Sequence, residues 1–406
     1  MDITDDAFLV FAYITLYFSV LFFILYLRNR QDMFKSPDPP KNLPSVSIII
    51  PAYNEEENIA ATIRKVAAFD YPKDLLELLV VDDGSKDKTA ETARSEGVTV
   101  LTKPNGGKAA ALNYGIRLAQ GEIVGCVDAD SYPESGALLS MVPYFNEPTV
   151  AAVTSSVLVK DAKNYLERLQ EMEYLLIAWG RKLLDYVHSV YVTPGPLSLY
   201  RKKAVDQVGG FDTKVLTEDI EIAWKLKSAG YDVRMALNAR VYTKAPRSFK
   251  KWWNQRLRWD IGGIQTVKMH KYAAFRFEYG IFGLFIVPFF SVSMVLSLLG
   301  LGLFTYLFTS RAIEYAAYSY YSLRAGINPL DHYYLGFLPN VFTVLGVIGL
   351  LSSMIYLLAG LRSMGKKIGP KTVYDIFLYL VPYLFLFPIL LIHSFWRLAA
   401  YKKQKW

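Results

Sequence analysis

Three acidic clusters in this chain each follow a run of apolar, mostly β-branched or leucine residues. They are Tyr53-Asn54-Glu55 after 46–50, Asp82-Asp83-Gly84-Ser85 after 76–81, and Asp128-Ala129-Asp130 after 123–127. Asp and Gly are turn residues, so Asp-Asp-Gly-Ser alone reads equally as a simple turn or as carboxylates accepting hydrogen bonds from a nucleotide base or ribose. Asp128 and Asp130 are different. Two carboxylates leaving a buried strand are costly unless a cation joins them. Mg²⁺ or Mn²⁺ takes oxygen ligands, relieves that repulsion and bridges a diphosphate.

Three further groups carry chemistry. Asn105-Gly106-Gly107-Lys108 opens a helix of small residues, whose N-terminus and lysine suit phosphate oxygens. The spacing is not that of a P-loop, and a loop with a solvated lysine is the competing reading. Thr217-Glu218-Asp219 begins a helix ended by Gly230. Thr217 reads as an N-cap and the acids complement the helix dipole, while a carboxylate there can serve as general base for a hydroxyl. Gln255, Arg258 and Trp259 share one helix face, pairing a guanidinium for a diphosphate with an indole for a sugar ring. The surrounding stretch, 244–276, holds nine Lys or Arg against Asp260 alone, so it also reads as a basic amphipathic helix on anionic lipid. Because it abuts an apolar span, no nucleic-acid partner is expected.

Positioning these groups takes strands alternating with helices. Strands are expected at 46–50, 76–81, 98–102 and 122–127. Helices are expected at 55–68, opened by Asn54 with Glu57 as its capping partner, at 87–96 and at 108–119. Right-handed crossovers then give an α/β fold with a doubly wound, mainly parallel sheet. Such sheets bind ligands at the carboxyl ends of their strands, where the clusters fall.

Composition sets the wider frame. Of 406 residues, 52% are hydrophobic and 15% aromatic, which excludes disorder, yet 45 basic and 37 acidic side chains need water. A soluble domain joined to membrane segments remains. Four stretches lack Asp, Glu, Lys and Arg: 7–27, 279–310, 333–361 and 376–396, each meeting or exceeding the roughly 20 residues a helix needs to cross a bilayer. Arg28, Arg30 and Lys35 place the N-terminus outside and the middle of the chain in the cytoplasm. The single cysteine, Cys126, agrees with a reduced compartment and excludes a disulfide framework. Four crossings would leave the tail outside despite Arg397, Lys402, Lys403 and Lys405; a re-entrant last segment, with Pro382 and Pro388, is the alternative. The expected division is an N-terminal helix (1–30), a cytoplasmic domain (31–243), an interface segment (244–276) and a membrane region of about three spans (277–406).

Together the motifs resemble the membrane-integrated, processive family-2 glycosyltransferases, the cellulose, chitin, hyaluronan and poly-N-acetylglucosamine synthases. The matching pieces, in order, are Pro51-Ala52-Tyr53-Asn54-Glu55, Asp82-Asp83-Gly84-Ser85, Gly107-Lys108, Asp128-Ala129-Asp130, Thr193 to Arg201, Thr217-Glu218-Asp219 and Gln255-x-x-Arg258-Trp259. The resemblance implies a GT-A fold and inverting transfer of GlcNAc or glucose from a UDP-sugar, with Mg²⁺ or Mn²⁺, in the cell membrane. It assigns the nucleotide to Pro51, Tyr53, Glu55, Asp82, Asp83, Lys108 and Asp128, and the metal diphosphate to Asp128 and Asp130. Asp219 becomes the base. Gly195, Pro196, Glu218, Gln255, Arg258 and Trp259 face the acceptor and the leaving diphosphate. The implied acceptor is a growing β-linked polysaccharide, and the alternative is a single addition to a lipid. A transporter is disfavoured because no charge lies inside a span.

Overall fold

In the computed structural model, residues 3–329 and 341–400 are described. The start of the uncharged stretch 333–361 and the tail lysines Lys402, Lys403 and Lys405 lie outside them. In chain order the elements are α1 (Ile3–Asn29), β1 (Val46–Ala52), α2 (Ile59–Ala67), β2 (Leu76–Asp82), α3 (Thr89–Ser95), β3 (Thr99–Thr102) and α4 (Lys108–Leu118). Next come β4 (Ile123–Cys126), β5 (Ser131–Pro133), α5 (Ala137–Met141), β6 (Val150–Val159), α6 (Tyr165–Asp185), β7 (Ser198–Arg201) and α7 (Lys202–Gln207). The chain continues through α8 (Glu218–Ser228), β8 (Asp232–Thr243), α9 (Phe249–His270), α10 (Val287–Arg324), α11 (Val341–Ser363) and α12 (Pro370–Ala400).

The strands form one mixed, mostly parallel sheet of eight, in the order β3-β2-β1-β4-β7-β6-β8-β5. β1 runs parallel to both β2 and β4, and β2 parallel to β3, as alternating strands and helices require. The second half departs from the simple doubly wound pattern. The Asp128 amide donates to the Gly195 carbonyl at 3.1 Å, so the chain re-enters the sheet at the carboxyl end of β4. β7 must therefore run antiparallel to β4, and it does. Two long buried strands, β6 and β8, then pair in parallel. Successive β1 side chains feed opposite cores: Ile49 packs with Val124 and Cys126, whereas Ile48 and Ile50 pack with Val127 and Leu199.

The helix expected at 55–68 begins later, at Ile59. Asn54 does not cap it. Asn54 holds a left-handed φ of 55° and its side chain accepts from the Lys86 amide at 2.9 Å, tying this loop to the Asp-Asp-Gly-Ser turn. Its cross-chain bond outcompetes the local capping box.

Among the described residues, four helices are long and apolar enough to cross a membrane: Phe8–Asn29, Phe282–Arg324, Val344–Ser363 and Tyr383–Ala400. The second starts with a π turn at Phe282–Ile286 and runs well past residue 310, where Arg311 pairs with Glu314 at 2.9 Å. The last uncharged segment is part of one unbroken helix through Pro382 and Pro388, not a re-entrant pair. Neighbouring helices compensate a proline's missing donor in such a setting.

The helices seat directly on the sheet domain. Trp179 of α6 is fully buried between Tyr26 of α1 and Tyr356 of α11, with ring centroids 5.5 and 4.6 Å away. The basic stretch also packs on protein. α9 buries Trp252, Arg256, Leu257 and Ile261, and packs on α12 through Trp252 and Tyr383, 5.7 Å apart.

Gly125 is where β4 has no room for a side chain: a Cβ would lie 2.4 Å from Ile48 Cδ1 and 2.9 Å from Leu199 Cδ2. Gly125→Ala is expected to destabilise the domain by about 1–3 kcal/mol through overpacking, read as a lowered thermal midpoint. An unchanged midpoint would contradict this packing.

Candidate active site

The site forms where β4, α4, α8 and α9 meet. Lys108, the first residue of α4, reaches Asp128 Oδ1 at 2.5 Å beyond the end of β4 and Glu218 Oε1 at 3.1 Å at the start of α8. Gly195 closes over this pair. A Cβ there would lie 2.2 Å from Lys108 Nζ and 2.6 Å from Asp128 Oδ2. Burial works against the ammonium, but Asp128, Glu218 and Asp219 outweigh it and hold Lys108 charged.

The two acids of Thr217-Glu218-Asp219 diverge electrostatically. Burial pushes both up, yet Lys108 overcomes it at Glu218, whose carboxyl lies below the usual range. Asp219 is pushed up to about 6 by burial and then by the Glu218 charge, against the pull of Lys108 and Arg258. Two neighbouring acids with separated proton affinities are the arrangement acid–base chemistry uses. Backbone contacts fix Asp219: its carbonyl accepts from the Thr193 amide at 3.2 Å and the Thr193 hydroxyl at 2.9 Å. Among the described residues, the only hydrogen bond to its carboxylate comes from the Ile220 amide, at 3.0 Å.

α9 brings Arg258 to this cluster, and the latch was not foreseen from the motifs. Gln265 Oε1 accepts from the Leu216 amide at 3.0 Å. At Gly262 a Cβ would lie 2.1 Å from Thr217 Oγ1, so only glycine lets α9 approach this closely. Thr217 consequently does not cap α8; its hydroxyl is buried without a partner. The sequence signal was the Gly262-Gly263 pair inside a helical pattern. Gln255, half-buried, has an unpartnered buried carboxamide oxygen, and Trp259 packs against the core with Arg256 on its ring at 4.2 Å.

The nucleotide candidates divide. Asp83 is engaged: it accepts from Lys103 Nζ at 2.5 Å and from the amides of Gly106 and Gly107, which shapes the loop leading into Lys108. Asp82 Oδ1 accepts from the Ser85 amide at 3.1 Å. Pro51 lies in β1 opposite Val81, and Tyr53 just beyond is exposed. Glu55 Oε2 accepts from Asn58 at 2.7 Å. Pro196 follows Gly195 over the strand end.

Among the described residues no three His, Cys, Asp or Glu side chains converge as a ready metal cage. The pair Asp128 and Asp130 still fits a hard cation that completes its shell with water and phosphate oxygens. Burial, followed by the charges of Asp128 and Glu55, pushes the Asp130 carboxyl up to about 6, a repulsion that a cation relieves.

A mixed sheet with acids at its strand ends, a lysine–aspartate pair beside Gly195 and a basic helix packed on α8 make up the site. Residues 44–262 match the model described as "Glycosyltransferase like family 2", and the chain belongs to that family. It is 32% identical over 255 residues to poly-beta-1,6-N-acetyl-D-glucosamine synthase of Staphylococcus aureus, covering 61% of each chain. It is also 32% identical over 257 residues to the probable glycosyltransferase YdaM of Bacillus subtilis, covering 60% of each. The match thus spans about three fifths of those relatives' length. The solved structure of mannosyltransferase PcManGT from Pyrobaculum calidifontis, in complex with GDP-Man and Mn²⁺, shares the fold. Its TM-score is 0.50 at 22% identity, covering 87% of this chain and 98% of that one.

Gly195→Ala tests the site's tightest contact. The new methyl must displace either Lys108 or Asp128, and misplacement on the ångström scale costs about 10²-fold in rate. The expected result is that loss in sugar transfer with the fold retained by thermal melting; full activity would contradict the contact.

Proposed function

We propose that the protein is an inverting membrane glycosyltransferase that moves GlcNAc or glucose from a UDP-sugar to the end of a growing β-linked polysaccharide. The observation that carries this is the meeting of Asp219, Lys108 with Asp128, and Arg258 from α8, α4, β4 and α9 at the carboxyl end of the sheet. The family membership and the poly-N-acetylglucosamine synthase relative support the polymer reading. Charges at Arg28, Arg30 and Lys35 support a cytoplasmic catalytic domain with the N-terminus outside.

In this reading Pro51, Tyr53, Glu55 and Asp82 frame the nucleotide, with Asp83 acting through the 103–107 loop. Asp128 and Asp130 would hold Mg²⁺ or Mn²⁺, which when bound neutralises diphosphate charge; the Mn²⁺ in the mannosyltransferase complex agrees with this. Asp219 takes the proton from the acceptor hydroxyl. The acceptor oxygen forms its bond to the anomeric carbon as the bond to the diphosphate breaks on the opposite face, which inverts the configuration. Lys108 and Arg258 receive the charge that builds on the leaving group. Trp259 stacks on the terminal sugar, and Gly195, Pro196 and Gln255 line the acceptor's position.

Asp219→Asn should lower transfer by on the order of 10² to 10⁴ while UDP affinity is kept. In the unaltered enzyme, kcat/KM should rise with pH through about 6, because the raised carboxyl of Asp219 holds its proton below that point. Near-normal turnover by the variant rules Asp219 out as base. Product sizing on the unaltered enzyme separates a polymer from a single sugar on lipid.

Metal dependence has its own check. Excess EDTA should abolish turnover, Mg²⁺ or Mn²⁺ should restore it, and Asp130→Ala should not be restored at the same concentrations. Full turnover in EDTA would overturn the assignment of Asp128 and Asp130.

A further inference from the structure

Arg256 is the charged residue inside the Gln255–Trp259 motif that the motif leaves unassigned, and it is almost completely buried. Its guanidinium carbon stands 4.2 Å from the Trp259 ring centroid and 5.7 Å from that of Trp252. Nη2 donates to Glu173 Oε2 of α6 at 2.5 Å, and the Tyr383 hydroxyl of α12 donates to the same oxygen at 3.0 Å. Three helices thus meet on one carboxylate oxygen: one from the sheet domain, the motif helix and the last apolar helix.

A buried ion pair is a poor device for stability alone. Both charges lose their water, and apolar side chains of similar volume commonly serve as well or better. Here the cost is visible, because Arg256 Nε is buried without a partner and burial pushes the Glu173 carboxyl up against the pull of Arg256. α9 also has anchors independent of Arg256: Gln265 to Leu216, Gly262 against Thr217, and Trp253 Nε1 donating to His393 at 3.2 Å. What the pair adds is direction. A planar guanidinium held by a carboxylate presents a flat face to an indole, which lysine or a methionine cannot do.

We propose that Arg256, fixed by Glu173 and Tyr383, is a positioning residue that sets the plane of the Trp259 indole and links the acceptor position to α12. This deepens the reading of Trp259 as the acceptor's stacking platform and rests on it. The contact acts on the acceptor and leaves the nucleotide side, at Lys108 and Asp128, untouched.

The test uses the full chain in nanodiscs with three variants: Arg256→Lys, the double variant Glu173→Gln with Arg256→Met, and Tyr383→Phe. Each is measured for thermal midpoint, UDP affinity, apparent KM for the acceptor and product length. Arg256→Lys keeps the charge opposite Glu173, and the double variant removes both charges together, so neither strands a buried ion. The expected result is unchanged UDP affinity, a roughly five- to tenfold rise in acceptor KM and shorter products. Tyr383→Phe should shift the same two readouts less. Wild-type KM and product length in the folded variants would overturn the proposal, and so would unfolding of all three, which would make the pair a requirement of the fold. If the unaltered protein adds one sugar to a lipid, the polymer reading fails by itself, and the lipid's KM in Arg256→Lys still decides the role of Arg256.

Discussion

One ammonium group holds the site together. Lys108 bridges Asp128 at the exit of β4 and Glu218 at the start of α8, residues 90 positions apart in the chain. Without a cation between them, the carboxylates of β4 and α8 would repel across a half-buried cleft. With it, Glu218 stays ionised, and Asp219 beside it, already pushed up by burial, is raised further by the Glu218 charge. Lys108 therefore acts on Asp219 in two opposed ways, pulling it down directly and sustaining the Glu218 charge that pushes it up.

Much of the surrounding architecture serves that contact. Asp83 arranges the 103–107 loop so that α4 starts with Lys108 facing the sheet end. The missing side chain at Gly195 gives the lysine its room, and the bond from the Asp128 amide to Gly195 turns the second half of the sheet around. α9 closes the cleft because Gly262 lets it press on Thr217, which brings Arg258 within electrostatic reach of both α8 acids. The apolar helices enter through packing, at Trp179 on one side and at Trp252 with Tyr383 on the other.

The first half of the sheet was legible because β1 to β4 are short apolar runs, each closed by polar residues, a pattern that local sequence carries. The antiparallel return of β7 was not, because its pairing with β4 and β6 joins residues far apart in the chain. Asn54 misled for a similar reason: its residue type signals a helix cap, yet its side chain bonds the Lys86 amide across to the neighbouring turn. The chemistry-bearing residues of β4, α4 and α8 were visible by type. Asp83 was visible too, but its work in shaping a loop was not, since a carboxylate's partners are set by folding. Gly262, Gln265 and the Glu173–Arg256 pair were hidden because their meaning lies in which helix stands opposite.

The account's central claim is that one carboxylate, Asp219, activates the acceptor for a single displacement at the anomeric carbon. The stereochemistry of the new linkage tests this most directly. UDP-N-acetylglucosamine and UDP-glucose carry their sugars in the α configuration, and NMR of the first newly formed bond reads the outcome before any rearrangement. The account predicts a β linkage. An α linkage would require a covalent sugar–enzyme intermediate or front-face attack, and would contradict the role given to Asp219.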